Sequence, residues 1–166
     1  MILLLAVFFL FAVGSGEDTT GQTSGNNDTQ APKATVAATE AAPEGALGDY
    51  IIVIDSCRLA KSYDDKPVVI VKYVYTNVSN DNPTSFMFAF EDEVFQNGVG
   101  LNESYFVDDS ANYSSDNQSK EIKAGATIEV EVAYELNDTT TDIEIEVSEL
   151  ISWSDDKITK TFALPQ

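Results

Sequence analysis

Residues 127–136, TIEVEVAYEL, alternate apolar and acidic or small side chains along their whole length. A period of two is the mark of a strand with one face in a core and the other in water. A helix could not place Ile128, Val130, Val132, Tyr134 and Leu136 on one side and leave Glu129, Glu131 and Glu135 on the other. DIEIEVSEL (142–150) repeats the scheme, with Ile143, Ile145 and Val147 set against Glu144 and Glu146. The facing predicts that Val130→Asp unfolds the domain, whereas Glu131→Lys is close to neutral.

Other segments read as strands by the same test. YIIVIDSCRL (50–59) is β-branched and apolar, and DKITKTFAL (156–164) supplies a final strand. PVVIVKYVYTNV (67–78) sets Val69, Val71, Tyr73 and Tyr75 against Val68, Ile70, Lys72 and Val74, as in a central strand covered on both faces. SFMFAFEDEVF (85–95) is expected to put Phe86, Phe88 and Phe90 on one face. Between them lie the turn-forming clusters SYDDKP, NVSNDNP, QNGVG, NDTTTD and SDDK. No stretch carries helical periodicity. The expected fold is all-β: an immunoglobulin-like antiparallel β-sandwich of about seven strands over residues 48–166. Cys57 is the sole cysteine, so no disulfide joins the sheets, and its apolar run predicts a buried, unreactive thiol.

The N-terminal part differs in kind. MILLLAVFFLFAV (1–13) suits the hydrophobic region of a signal peptide and is shorter than the ~20 residues of a membrane-spanning helix. It has no basic residues before it, and one explanation is a start further upstream. The following stretch, FAVGSGEDTT, looks like the end of a bacterial lipoprotein leader with Val13 in the place of the acylated cysteine. Residues 14–47 are small and polar with almost no large apolar groups, and read as a flexible, low-complexity linker.

Composition narrows the function. Nine Lys and Arg against 28 Asp and Glu leave a net charge of −19, a poor surface for nucleic acid or anionic lipid. Histidine is missing altogether, which removes the side chain most used in acid–base catalysis near neutral pH. The expectation is therefore a protein that is not an enzyme, uses no cofactor and meets a membrane only through its leader.

Three places are candidates for contact with a ligand. Glu129, Glu131 and Glu135 would share one acidic surface with Glu144 and Glu146 if the two strands pair as a hairpin through NDTTTD; the plainer reading is a solvated face that deters aggregation. The long segment ESYFVDDSANYSSDNQSKE (103–121) carries Tyr105, Phe106 and Tyr113 among small polar residues, the composition of adaptable binding loops. Its alternative role is a lid on the sandwich. Pairs such as Asp108 and Asp109 or Asp155 and Asp156 offer oxygen ligands for calcium, yet none follows the twelve-residue calcium-loop pattern, and metal ligands are not expected. Trp153 is expected as a core or sheet-end aromatic.

FQNGV (95–99), the IKAG turn (122–125) and AYEL (133–136), within residues 48–164, resemble an uncharacterised domain family of Gram-positive surface lipoproteins. That family is similar in architecture to telokin-like immunoglobulin sandwiches. The resemblance implies a location outside the cell, secreted or attached to the outer face of the membrane, and carries no catalytic residues. The expected function is a non-enzymatic extracellular binding module with an unknown protein or glycan partner at the envelope. The alternatives are an accessory subunit of an envelope complex and a carboxylate-dependent hydrolase.

Overall fold

A computed structural model describes residues 35–36, 44–79 and 82–164. The expected leader and most of the expected linker lie outside these residues. Two antiparallel sheets close on one core, the β-sandwich predicted by the alternation. The first sheet holds β1 (Thr35–Val36), β2 (Glu44–Leu47), β3 (Tyr50–Lys61), β4 (Pro67–Asn77) and β7 (Thr127–Glu135). Its order is β1-β3-β4-β7, with β2 also paired to β3. The second sheet is ordered β6-β5-β8-β9, from β5 (Phe90–Gln96), β6 (Val99–Gly100), β8 (Ile143–Glu149) and β9 (Lys157–Phe162).

The domain begins earlier than the boundary drawn at Gly48. Glu44–Leu47 pairs with β3, and Leu47 is buried in the core although its neighbours are small and polar. Four residues with a single large apolar side chain carry too weak an alternation to register as a strand.

The inward faces behave as their periods dictate. Val69, Val71, Tyr73 and Tyr75 of β4 meet Val94, Ile143, Ile145 and Val147 of the opposite sheet, with Val130, Val132 and Tyr134 alongside. At one end Tyr50, Tyr75, Phe86 and Phe90 form a cluster of aromatic rings with centroids 5.3–5.8 Å apart, three of the pairs edge-to-face. The predicted strand 85–95 starts instead as one helical turn, α1 (Phe86–Ala89). That turn brings Phe86 and Phe90 into the core and sends Phe88 outwards, 66 % exposed, because a one-turn separation and not a two-residue one links the inward positions. The β5–β6 hairpin turns at Asn97 and Gly98, both at positive φ as a two-residue turn of this kind requires.

No disulfide joins the sheets, and Lys160 ties them together. Its buried ammonium reaches from β9 to the carbonyls of Ile54 (2.8 Å) and Asp55 (3.0 Å), where β3 changes register between Ile54 and Ser56. Burial lowers the Lys160 pKa and raises that of the nearby Cys57 thiol to about 12, so the thiol stays protonated and inert.

Candidate functional site

The segment from Leu101 to Lys120 crosses from the second sheet to the first and bonds to the edge of β7. Ser104 N donates to Ala133 O (2.7 Å), Glu135 N to Asn102 O (2.9 Å), and the Asn117 and Gln118 side chains donate to the carbonyls of Glu129 (2.8 Å) and Glu131 (2.7 Å). The free edge of β7 is thereby capped along its length. Val107, Ala111 and Tyr113 pack on Val68, Ile70 and Ala133, the outward apolar face of the first sheet. This explains the doubly apolar start of β4: its second cover is a loop.

The three aromatics expected to form one binding loop therefore separate. Tyr113 belongs to the lid; it is half-buried, and burial raises its hydroxyl pKa. Tyr105 and Phe106 are 75 % and 71 % exposed. Their backbone is nonetheless fixed, by Tyr63 N on Phe106 O (3.2 Å), Asp108 N on Lys61 O (2.8 Å) and the bridge between Ser62 and Val107. Tyr63, itself exposed, joins them at the same end of the sandwich and bonds Asp109 Oδ1 at 2.5 Å.

The expected acidic surface does not form. β7 pairs with β4 and β8 with β5 and β9, so Glu129, Glu131 and Glu135 lie on one sheet and Glu144 and Glu146 on the other. NDTTTD is a crossover between sheets and not a hairpin turn. Gln96, buried on β5, holds it: Nε2 donates to Asp138 O (3.1 Å) and Thr141 O (2.9 Å), and Oε1 accepts from Asn137 N (2.9 Å). Asp138 closes the loop by accepting from the main chain of Thr140 and Thr141, bonds that hold its carboxyl at about 2. Three of the five acids are also engaged by cations. Glu131 forms a two-point pair with Arg58, Glu129 bonds Lys72 (2.8 Å) and Glu146 bonds Lys157 (2.7 Å).

A different set of acids gathers beside Tyr105. A cleft of about 440 Å³ opens between β5, β6 and the edge of β7, lined by Asp92, Glu93, Leu101, Glu103, Tyr105 and Tyr134 among others. Asp92 is an inward position of β5, in register with the buried Phe90, Val94 and Gln96, so its carboxyl points between the sheets and accepts from the Tyr134 hydroxyl. Burial raises Asp92 to about 6; the Tyr134 bond opposes that rise and the Glu103 charge adds to it. Glu103 Oε2 accepts from the Tyr105 hydroxyl at 2.8 Å. The signal for Asp92 was present in the sequence, since the inward register of FEDEVFQ places an acid between two core residues.

A second hollow of about 430 Å³ lies on the outer face of the second sheet, under the β8–β9 loop. At the tip of that loop Ile151 and Trp153 stand in solvent. Trp153 is thus neither a core nor a sheet-end aromatic: strand β8 ends at Glu149, and the alternation that would turn Trp153 inward ends with it. Among the described residues no three acidic or cysteine side chains gather closely enough to hold a metal ion.

Comparisons with known proteins follow the fold. No curated protein matches the chain. The domain is similar to the crystal structure of a candidate lipoprotein from Bacillus subtilis, with TM-score 0.56 and 18 % identity over 75 % of this chain and 39 % of that one. It is also similar to a candidate lipoprotein from Staphylococcus aureus, with TM-score 0.53 and 20 % identity over 74 % of this chain and 93 % of the other. The chain thus spans about two fifths of the Bacillus protein. A family model described as a domain of unknown function, DUF5067, matches residues 25–149, the greater part of the sandwich, and the chain belongs to that family.

Proposed function

We propose that this domain is a non-enzymatic binding module displayed outside a Gram-positive cell. One observation carries the reading: Tyr105 and Phe106 are exposed on a backbone fixed by hydrogen bonds. Exposing two large rings on a fixed backbone serves no core, whereas aromatics so placed, Tyr105 beside a cleft, lose little backbone entropy when they meet a partner. The apolar leader sequence and the likeness in fold to candidate lipoproteins support the envelope location.

The test is sedimentation of the purified chain with isolated Gram-positive cell-wall sacculi. Wild type should sediment, and a Tyr105→Ser/Phe106→Ser double variant with an unchanged melting temperature should bind at least tenfold more weakly. Equal behaviour of the two proteins would instead favour an accessory role in an envelope complex. A hydrolase remains a second reading, favoured by the elevated Asp92 beside Glu103 in one cleft. It requires turnover of envelope glycan or peptide that is lost in Asp92→Asn.

A further inference from the structure

We propose that the β8–β9 loop and α1 form a second docking surface, and that its occupant is a cationic, amphipathic segment of a partner protein. This surface is separate from the Tyr105–Phe106 site and lies at the other end of the sandwich. β3 runs about 35 Å from Tyr50, packed on Phe90 beside α1, to Lys61, whose carbonyl accepts from Asp108 N close to Phe106.

The apolar half of the surface is built by a reversal of the usual facing. In ELISWSDD (149–156), Ser152 and Ser154 line the hollow against the second sheet, whereas Ile151 and Trp153 do not line it and stand in solvent. A loop that only joined two strands would gain by turning its large apolar groups the other way. Hydrogen bonds hold the loop in this form: Ser154 N donates to Ser152 Oγ (3.1 Å), Asp156 N to Ser154 Oγ (3.2 Å) and Ser154 Oγ to Asp156 Oδ2 (2.8 Å). Leu150 N donates to Ala89 O (2.9 Å), which sets the loop beside α1, where Met87 and Phe88 are also exposed. Met87 N is fixed in turn on Gln118 O (3.1 Å). Two tethered segments thus hold Met87, Phe88, Leu150, Ile151 and Trp153 out of the core at one end of the domain. Large apolar groups gathered outside a core mark a contact surface, and tryptophan is among the side chains that contribute most to one.

Charge selects the occupant. Glu91, Glu93, Glu149, Asp155 and Asp156 line the hollow under the loop, and the lysine among them, Lys157, is paired with Glu146 (2.7 Å). A partner that covers the rings must therefore bring positive charge to the acids beside them. A second copy of this chain would set acid against acid. A bilayer would have to draw Asp155 and Asp156 into its interface along with Trp153, and anionic headgroups would repel them. A segment with apolar side chains on one face and Lys or Arg beside them meets both halves of the surface.

Trp153 is the sole tryptophan of the chain, so its own emission reports on the site. The probe is an amphipathic helical peptide of leucine and lysine, titrated into the full chain in about 20 mM sodium chloride, with a leucine–glutamate peptide of the same pattern as its counterpart. The lysine peptide should give a saturable blue shift of Trp153 emission, and the glutamate peptide none. Raising the salt to about 200 mM should weaken binding at least fivefold. Amide shifts in the ¹⁵N-labelled chain should fall at residues 87–91 and 148–157. Ile151→Ser and Asp155→Asn/Asp156→Asn should each bind at least fivefold more weakly at an unchanged melting temperature, since all three side chains are exposed. Tyr105→Ser/Phe106→Ser should bind the peptide as wild type does, which separates this surface from the other. No blue shift with the lysine peptide, an equal shift with the glutamate peptide, or amide shifts spread equally over residues 129–135 would overturn the proposal. A blue shift on phosphatidylcholine vesicles without peptide would also overturn it, by making the occupant a lipid surface. So would a shift that grows with protein concentration alone, which would make the occupant a second copy.

Discussion

An acid on the inward side of a strand leaves a trace in the pH dependence of stability. Asp92 titrates near 6 in the folded protein and near 4 in the unfolded chain, so the fold binds its proton more tightly than the unfolded state does. That contribution is present in full below about pH 4 and is lost as pH rises through about 6, for a total of about 2–3 kcal/mol. Denaturant melts should show wild type losing about 2 kcal/mol more than Asp92→Asn between pH 4.5 and 7.5, since asparagine keeps a neutral acceptor for Tyr134. Parallel curves would assign the effect elsewhere. Neighbouring residues on β7 are both sensitive, for different reasons. Val130→Asp puts an unpaired charge into the core and should cost more than about 4 kcal/mol. Glu131→Lys, near neutral on sequence grounds, should cost about 2 kcal/mol because it sets a cation against the largely buried Arg58. Facing was legible from the alternation TIEVEVAYEL; the Arg58 partner was not, because Arg58 is distant in sequence and reaches Glu131 across β4.

Period two identifies a strand and its inward face, yet it is silent on which strand lies beside it. β7 and β8 would alternate identically as a hairpin or as members of opposite sheets, which is why NDTTTD read as a turn and the acidic surface was overdrawn. What distinguishes the two is Gln96, a buried amide whose four hydrogen-bonding groups are answered by the crossover. Gln96→Ala should cost about 2–3 kcal/mol in a denaturant melt by leaving those main-chain groups unpaired, with no loss of β structure by circular dichroism. A cost below about 0.5 kcal/mol would show that the crossover holds itself. The 103–121 segment was legible by composition as unusual, and a lid on the sandwich was one of its expected roles. That Tyr113 joins the lid while Tyr105 and Phe106 stay exposed was not legible, since it depends on Val68 and Ile70 needing a cover.

At the scale of the molecule, the chain carries a net charge of −19 with acids on both sheets and in the loops between them, and the fold works against its own repulsion. Raising sodium chloride from about 20 to 200 mM should lift the melting temperature by a few degrees, because screening relieves repulsion between distant carboxylates more than it weakens the few close pairs. A fall would mean that the Arg58, Lys72 and Lys157 pairs dominate. The sandwich is closed by packing and by the Lys160 ammonium on the β3 carbonyls, with its one thiol shut away. Nothing in it waits for an oxidant. Folding of this domain therefore has no redox signal to wait for, and its rate is set instead by sequence-distant pairing such as that of β4 with β7. Such pairing forms slowly, so it is topology and not cysteine chemistry that sets how long the newly made domain stays open.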